Sequence, residues 1–215
     1  MLKTNNMMSL WRFEGNALDT AGGNNLTVSG ALNGTGRIGN GYTFDGVDDK
    51  LKITDPADGS LDPGTGGMTI AFWFKKEAQA AQNVRVIYKG ATDDSAAEQG
   101  WHVRAGDAEI QFSVNDDTAS ARSTVGASGL TAGTWYHCAA TRSGAVHRIY
   151  IDGVANEITN GLTGDISGTK HFVVGSADTQ LFMKGSVDEV VFFKKALTAE
   201  DVKRTMHGFN PLVSG

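Results

Sequence analysis

The stretch Met68-Thr69-Ile70-Ala71-Phe72-Trp73-Phe74-Lys75 decides how this chain folds. Met68, Ile70, Phe72 and Phe74 share one side of a period-two pattern, and Thr69, Ala71, Trp73 and Lys75 share the other. A β-rich run with this alternation is a strand with one face in a core. Working outward, the same signature recurs at Met8 to Phe13, Gly41 to Phe44, Lys50 to Ile53, Val84 to Tyr88 and Trp101 to Arg104. It continues at Glu109 to Val114, Thr134 to Arg142, Val146 to Ile151, His171 to Val174 and Val187 to Phe193. Strands of this kind separated by Gly, Asp, Asn and Ser clusters describe a sandwich or barrel.

The connections agree. Gly106-Asp107, Ser143-Gly144 and Asp152-Gly153 are turn dipeptides placed between strands that they should fold into hairpins. The 28 glycines against 3 prolines fit a chain of tight turns. One helix is expected, from Ala199 to His207: Thr198 is an N-cap residue, Glu200 and Asp201 suit the first turn, and Gly208 suits the stop.

A chain of 215 residues can bury a self-sufficient core. The net charge of −5 is the wrong sign for a sequence-nonspecific nucleic-acid binder. No apolar run is long enough for a membrane span, and no signal peptide is visible at Met1 to Asn6. Cys138, the single cysteine, cannot form an internal disulfide and reads as a small buried strand residue. The expected organisation is an extension over 1–8, one domain over 9–210 and a tail over 211–215.

Six segments, in order, resemble the laminin-G-like group of the concanavalin A-like lectin/glucanase superfamily. They are Leu10 to Gly15 with Asp19, Phe44 to Asp49, Met68 to Lys75, Trp135 to Thr141, Ile149 to Gly153, and Gly185 to Val190 followed by Ala196-Leu197-Thr198. The resemblance implies an all-β, two-sheet antiparallel jelly-roll sandwich with one short C-terminal helix. It also implies a structural calcium joining the loop after the first strand to the closing strand, held by Glu14, Asn16, Asp19 and Asp188. From the residues alone, ordinary turn chemistry explains Glu14, Asn16 and Asp19 as well. Asp45, Asp48 and Asp49 read as turn and surface residues.

Glycoside hydrolysis needs two carboxylates facing one cleft. No Glu-x-Asp-x-x-Glu strand is present, and simple alternation puts Asp188 and Glu189 on opposite faces. The scattered histidines lack ligand spacing, and His137 reads as structural. The expectation is a noncatalytic carbohydrate-recognition or adhesion module that binds a glycan or glycosylated surface at the cell exterior. The alternatives are a structural, decoration or appendage protein of a virion or other assembly, with self-association through sheet edges, and then a glycosidase. Sugar binding needs an aromatic platform beside hydrogen-bonding groups. The loop Gly90 to Gly100 and the strand after it offer Asp94, Trp101, His102 and Arg104; core packing is the other reading of Trp101. Trp11 and Trp135 are expected in the core, and Trp73 on a sheet face or under a loop.

Overall fold

A computed structural model describes residues 6–79, 81, 83–91, 98–116 and 122–208. Among them the chain forms β1 (Met7–Trp11), β2 (Thr27–Ser29), β3 (Leu32–Thr35), β4 (Asn40–Asp45), β5 (Lys50–Ile53), β6 (Met68–Lys76), β7 (Val84–Gly90) and β8 (Gly100–Ala105). There follow β9 (Glu109–Asn115), β10 (Ser123–Ser128), β11 (Tyr136–Ser143), β12 (Val146–Ile151), β13 (Val154–Ile158), β14 (Phe172–Val174), β15 (Lys184–Phe193) and α1 (Ala199–Thr205). No described helix is long and apolar enough to cross a membrane.

Two antiparallel sheets result. One has eight strands in the order β13-β12-β11-β6-β15-β4-β3, with β1 pairing β15 off that path. The other has seven, in the order β10-β9-β8-β7-β14-β5-β2. Strand β15 is the hub of the larger sheet. Its first half pairs β4, its second half pairs β1, and β6 runs along its other side.

Ile70, Phe72 and Phe74 enter the space between the sheets, as the alternation requires. They meet Trp101, Val103, Ile110 and Phe112 from the facing sheet. Trp101 lies flat on Phe192, with centroids 5.7 Å apart and 3° between planes, and Trp11 stacks on Phe172 at 4.9 Å. These contacts lock the sheets together. Cys138 is buried in the same core, where burial pushes its thiol well up.

The expected turns form. Asp152 and Gly153 have φ of 48° and 80°, the two left-handed residues of a tight hairpin turn between β12 and β13. Thr198 caps α1 by accepting from the Asp201 amide. The α-helix stops at Thr205, short of the expected His207. The amides of Met206, His207 and Gly208 bond three residues back, which tightens the last turn, and Gly208 closes it at φ 71°.

Four strands, β2, β3, β10 and β13, escaped the sequence reading. They are the edges of the two sheets. An edge strand has little to bury, so it carries little alternation. In addition, β1 begins at Met7, inside the stretch expected to be an extension.

Candidate functional site

The outer face of the eight-stranded sheet is divided. Leu10, Ala71, Ala139, Tyr150, Val191 and Phe193 form an apolar patch sealed by Leu197 and by Val202 of α1. Beyond the helix the face turns polar, with Thr43 exposed, Lys75 and Trp135 half-buried, and Trp73, His137, Ser186 and Asp188 buried. There Trp135, half-buried, extends the β11 register by one residue and lies opposite Lys75, whose ammonium sits 5.7 Å from the indole centroid. Ser186 pairs with Lys75 and Thr43 with Ser186, and the two hydroxyls are 3.0 Å apart. One row across the sheet thus reads Trp135, Lys75, Ser186, Thr43. Lys75 also reaches Glu77 at 3.6 Å.

The neighbouring row is His137, Trp73 and Asp188. His137 is buried, is edge-on to Trp73 at 5.4 Å, and is hydrogen-bonded to Thr205 Oγ1 at 3.0 Å. Burial, with His207 nearby, holds its pKa down to about 3, so it is a neutral structural imidazole, as expected. Arg37, from the β3–β4 turn, lays its guanidinium over Trp73 at 4.7 Å.

Asp188 anchors that turn. Its Oδ2 accepts from the Arg37 and Ile38 amides at 2.9 and 2.8 Å, and its Oδ1 from the Glu189 amide at 2.7 Å. Residue 36 must be glycine because a Cβ there would lie 2.6 Å from this carboxylate. Burial pushes Asp188 up to about 7.

Simple alternation misplaced Glu189. Val187 and Val190 both enter the core, which requires an extra residue between them. The register of β15 on β6 shifts there, and Glu189 takes φ 48°. This bulge keeps both acids out of the inter-sheet core, and Glu189 pairs with Arg12 at 3.2 Å.

Each residue of the expected calcium set holds a loop or turn of its own through backbone amides. Asp19 Oδ1 accepts from the amides of Leu10, Ala21 and Gly22, and its Oδ2 from that of Asn24. Asn16 accepts from the Leu18 amide, and Glu14 caps the Asn40 amide. Each group holds a loop, and the ligand atoms of Glu14, Asp19 and Asp188 do not converge. Among the described residues the acids that do converge are Asp45, Asp48 and Asp49. There Asp49 accepts from the Asp45 amide and Asp45 from that of Val47, which is turn chemistry.

The predicted ligand set is also dispersed. Asp94 lies outside the described residues. Trp101 is a core residue with no exposed surface. His102 and Arg104 point away from it, onto the outer face of the seven-stranded sheet. His102 is wholly buried there, and its pKa is well down because of burial and then Arg85, Arg122 and Arg104. Arg104 is tied to Gln111. Trp101 thus follows its core-packing reading, whereas Trp135, expected in the core, is half-buried on the outer face. The missed signal is position: Trp135 precedes Tyr136, which faces the core beside Phe74, so period two sends Trp135 outward.

The fold is a two-sheet antiparallel, jelly-roll-like sandwich with one short helix. Residues 44–203 match the laminin G family of the Concanavalin A-like lectin/glucanases superfamily, and the chain belongs to that family. No curated protein matches the sequence. Among solved structures, the binding domain of Paraclostridial Mosquitocidal Protein 1 superposes with a TM-score of 0.76 at 14% identity, over 94% of this chain and 52% of that one. The receptor binding domain of botulinum neurotoxin C/D mosaic serotype gives 0.72 at 16%, over 95% and 52%. The botulinum neurotoxin serotype D ligand binding domain in complex with N-acetylneuraminic acid gives 0.73 at 16%, over 95% and 51%. The chain thus spans about half the length of these proteins.

Proposed function

We propose that the protein is a noncatalytic carbohydrate-recognition module, acting outside the cell on a glycan or glycosylated surface. Its site is the open part of the larger sheet's outer face. The observation that carries this reading is the half-exposed Trp135 indole beside Lys75, Ser186 and Thr43. An indole offers a flat apolar surface to a sugar ring, and the adjacent ammonium and the exposed Thr43 hydroxyl, backed by buried Ser186, offer partners to its hydroxyls. The fold, shared with toxin binding domains of which one was solved with N-acetylneuraminic acid, supports the reading. So does the use of Asp188 and Glu189 inside the protein, the one by amides and the other by Arg12. A glycan array probed with labelled protein and with Trp135→Ala tests it. Binding that the variant loses is expected; the absence of any bound glycan, or equal binding by the variant, overturns it.

A further inference from the structure

Arg37 is set apart from the other arginines. Arg12 pairs with Glu189, Arg148 with Glu157 and Arg204 with Asp201, while Arg142 donates to the carbonyls of Leu162, Gly64, Gly66 and Gly164. Among the described residues the guanidinium of Arg37 makes no ion pair and no hydrogen bond; it lies over the Trp73 ring and remains exposed. Beneath it the Trp73 Nε1 is buried and has no acceptor. A buried donor without an acceptor is costly in a folded protein, and here it lies under an exposed guanidinium whose donors face solvent.

The guanidinium is also held in place. Its backbone amide is fixed by Asp188, and its central carbon lies 4.7 Å from the Trp73 ring centroid. An immobilised planar fork of N–H groups matches a carboxylate in two parallel hydrogen bonds, and pre-organisation reduces the cost of binding. Trp135 is the diagonal cross-strand neighbour of Trp73, a separation of about 7–8 Å in an antiparallel pair. Lys75 lies between them on the same face, its contact with Glu77 a loose 3.6 Å.

We infer that this face selects sugars carrying a carboxylate: the ring stacks on Trp135, and the carboxylate is taken by Arg37 with Lys75 in support. The inference rests on the glycan-binding reading and adds the ligand class to it. The nearest acids do not occupy the fork: Glu14 caps the Asn40 amide, Asp188 holds the turn from below, and Glu189 is held by Arg12.

The test uses glucuronate- and N-acetylneuraminate-terminated oligosaccharides, each as the free acid and as its carboxylate methyl ester, with affinities measured by calorimetry at two salt concentrations. The free acid should bind about ten-fold or more tightly than the ester, and added salt should reduce that preference. Arg37→Ala should bring the acid down to the level of the ester, and Arg37→Lys should restore only part of the difference. Arg37 is exposed, so an unchanged melting temperature will show that the variants fold. Equal binding of acid and ester, lost in Trp135→Ala, refutes the selection of carboxylates and leaves the glycan-binding reading intact. Failure of every probe and of neutral glycans removes both.

Discussion

Replacing Asp188 by Asn isolates the contribution of one buried carboxyl. Burial raises Asp188 to about 7 from the ordinary 3.8, with the charge of Glu189 adding to the effect and the three amides opposing it. A carboxyl raised by folding stabilises the protein while protonated. Its contribution is complete below about pH 4 and is lost as pH rises through about 7. About three pH units at 1.36 kcal/mol each gives roughly 4 kcal/mol. His137 has the opposite slope: burial lowers it from 6.5 to about 3, so its contribution is present above 6.5 and is lost as pH falls. The two offset each other between about pH 4 and 6.5, so the wild-type profile alone is uninformative. The diagnostic quantity is the difference in unfolding free energy between wild type and Asp188→Asn, from urea denaturation at a series of pH values. That difference should fall by about 1.4 kcal/mol per pH unit between pH 4.5 and 7 and level off above. The Asn amide facing the Glu189 N–H adds an offset but no slope. A flat difference refutes the raised pKa, and a rising one means that the amides prevail over burial.

Phe72→Ala should cost about 3–5 kcal/mol in chemical denaturation, because the side chain is fully buried between the sheets. Trp101→Ala should cost a similar amount, about 3–5 kcal/mol, and leave glycan affinity unaltered; loss of binding by a folded variant would return Trp101 to the site. Lys89 is fully buried with Asp55 at 2.6 Å and Asp62 at 3.1 Å, so Lys89→Ala should cost about 3 kcal/mol by leaving both acids without their cation. Chelators should leave the melting temperature unchanged, since amides fill Asp19 and Asp188; a fall of several degrees, abolished by Asp19→Ala, would reinstate the calcium set.

The buried strands were legible because two faces in different environments impose alternation, as Met68 to Phe74 shows. The edges were not: Thr27–Ser29 and most of Val154–Ile158 are exposed on both sides, and their pairing is set by partners far away in sequence. The site was only half legible. Trp73 on a sheet face, His137 as a structural residue and the absence of a carboxylate ladder all follow from spacing. The bulge at Glu189 does not, since an inserted residue resets the period without a marker in composition. Arg37 was silent because its place over Trp73 is set by how the β3–β4 turn lies on the sheet, which no spacing in the sequence marks.

The pairing of β1 with β15 has a consequence for the order of assembly. Trp11 lies beside Val190, so the first strand rests on the last. During synthesis Leu10 and Trp11 emerge well before β15, the strand that completes their shelter. Closing so long a loop is entropically expensive and slow. Until β15 arrives, β1 is an unshielded apolar strand with unpaired edges on a nascent chain, and early capture by another copy or by a chaperone competes with its native docking.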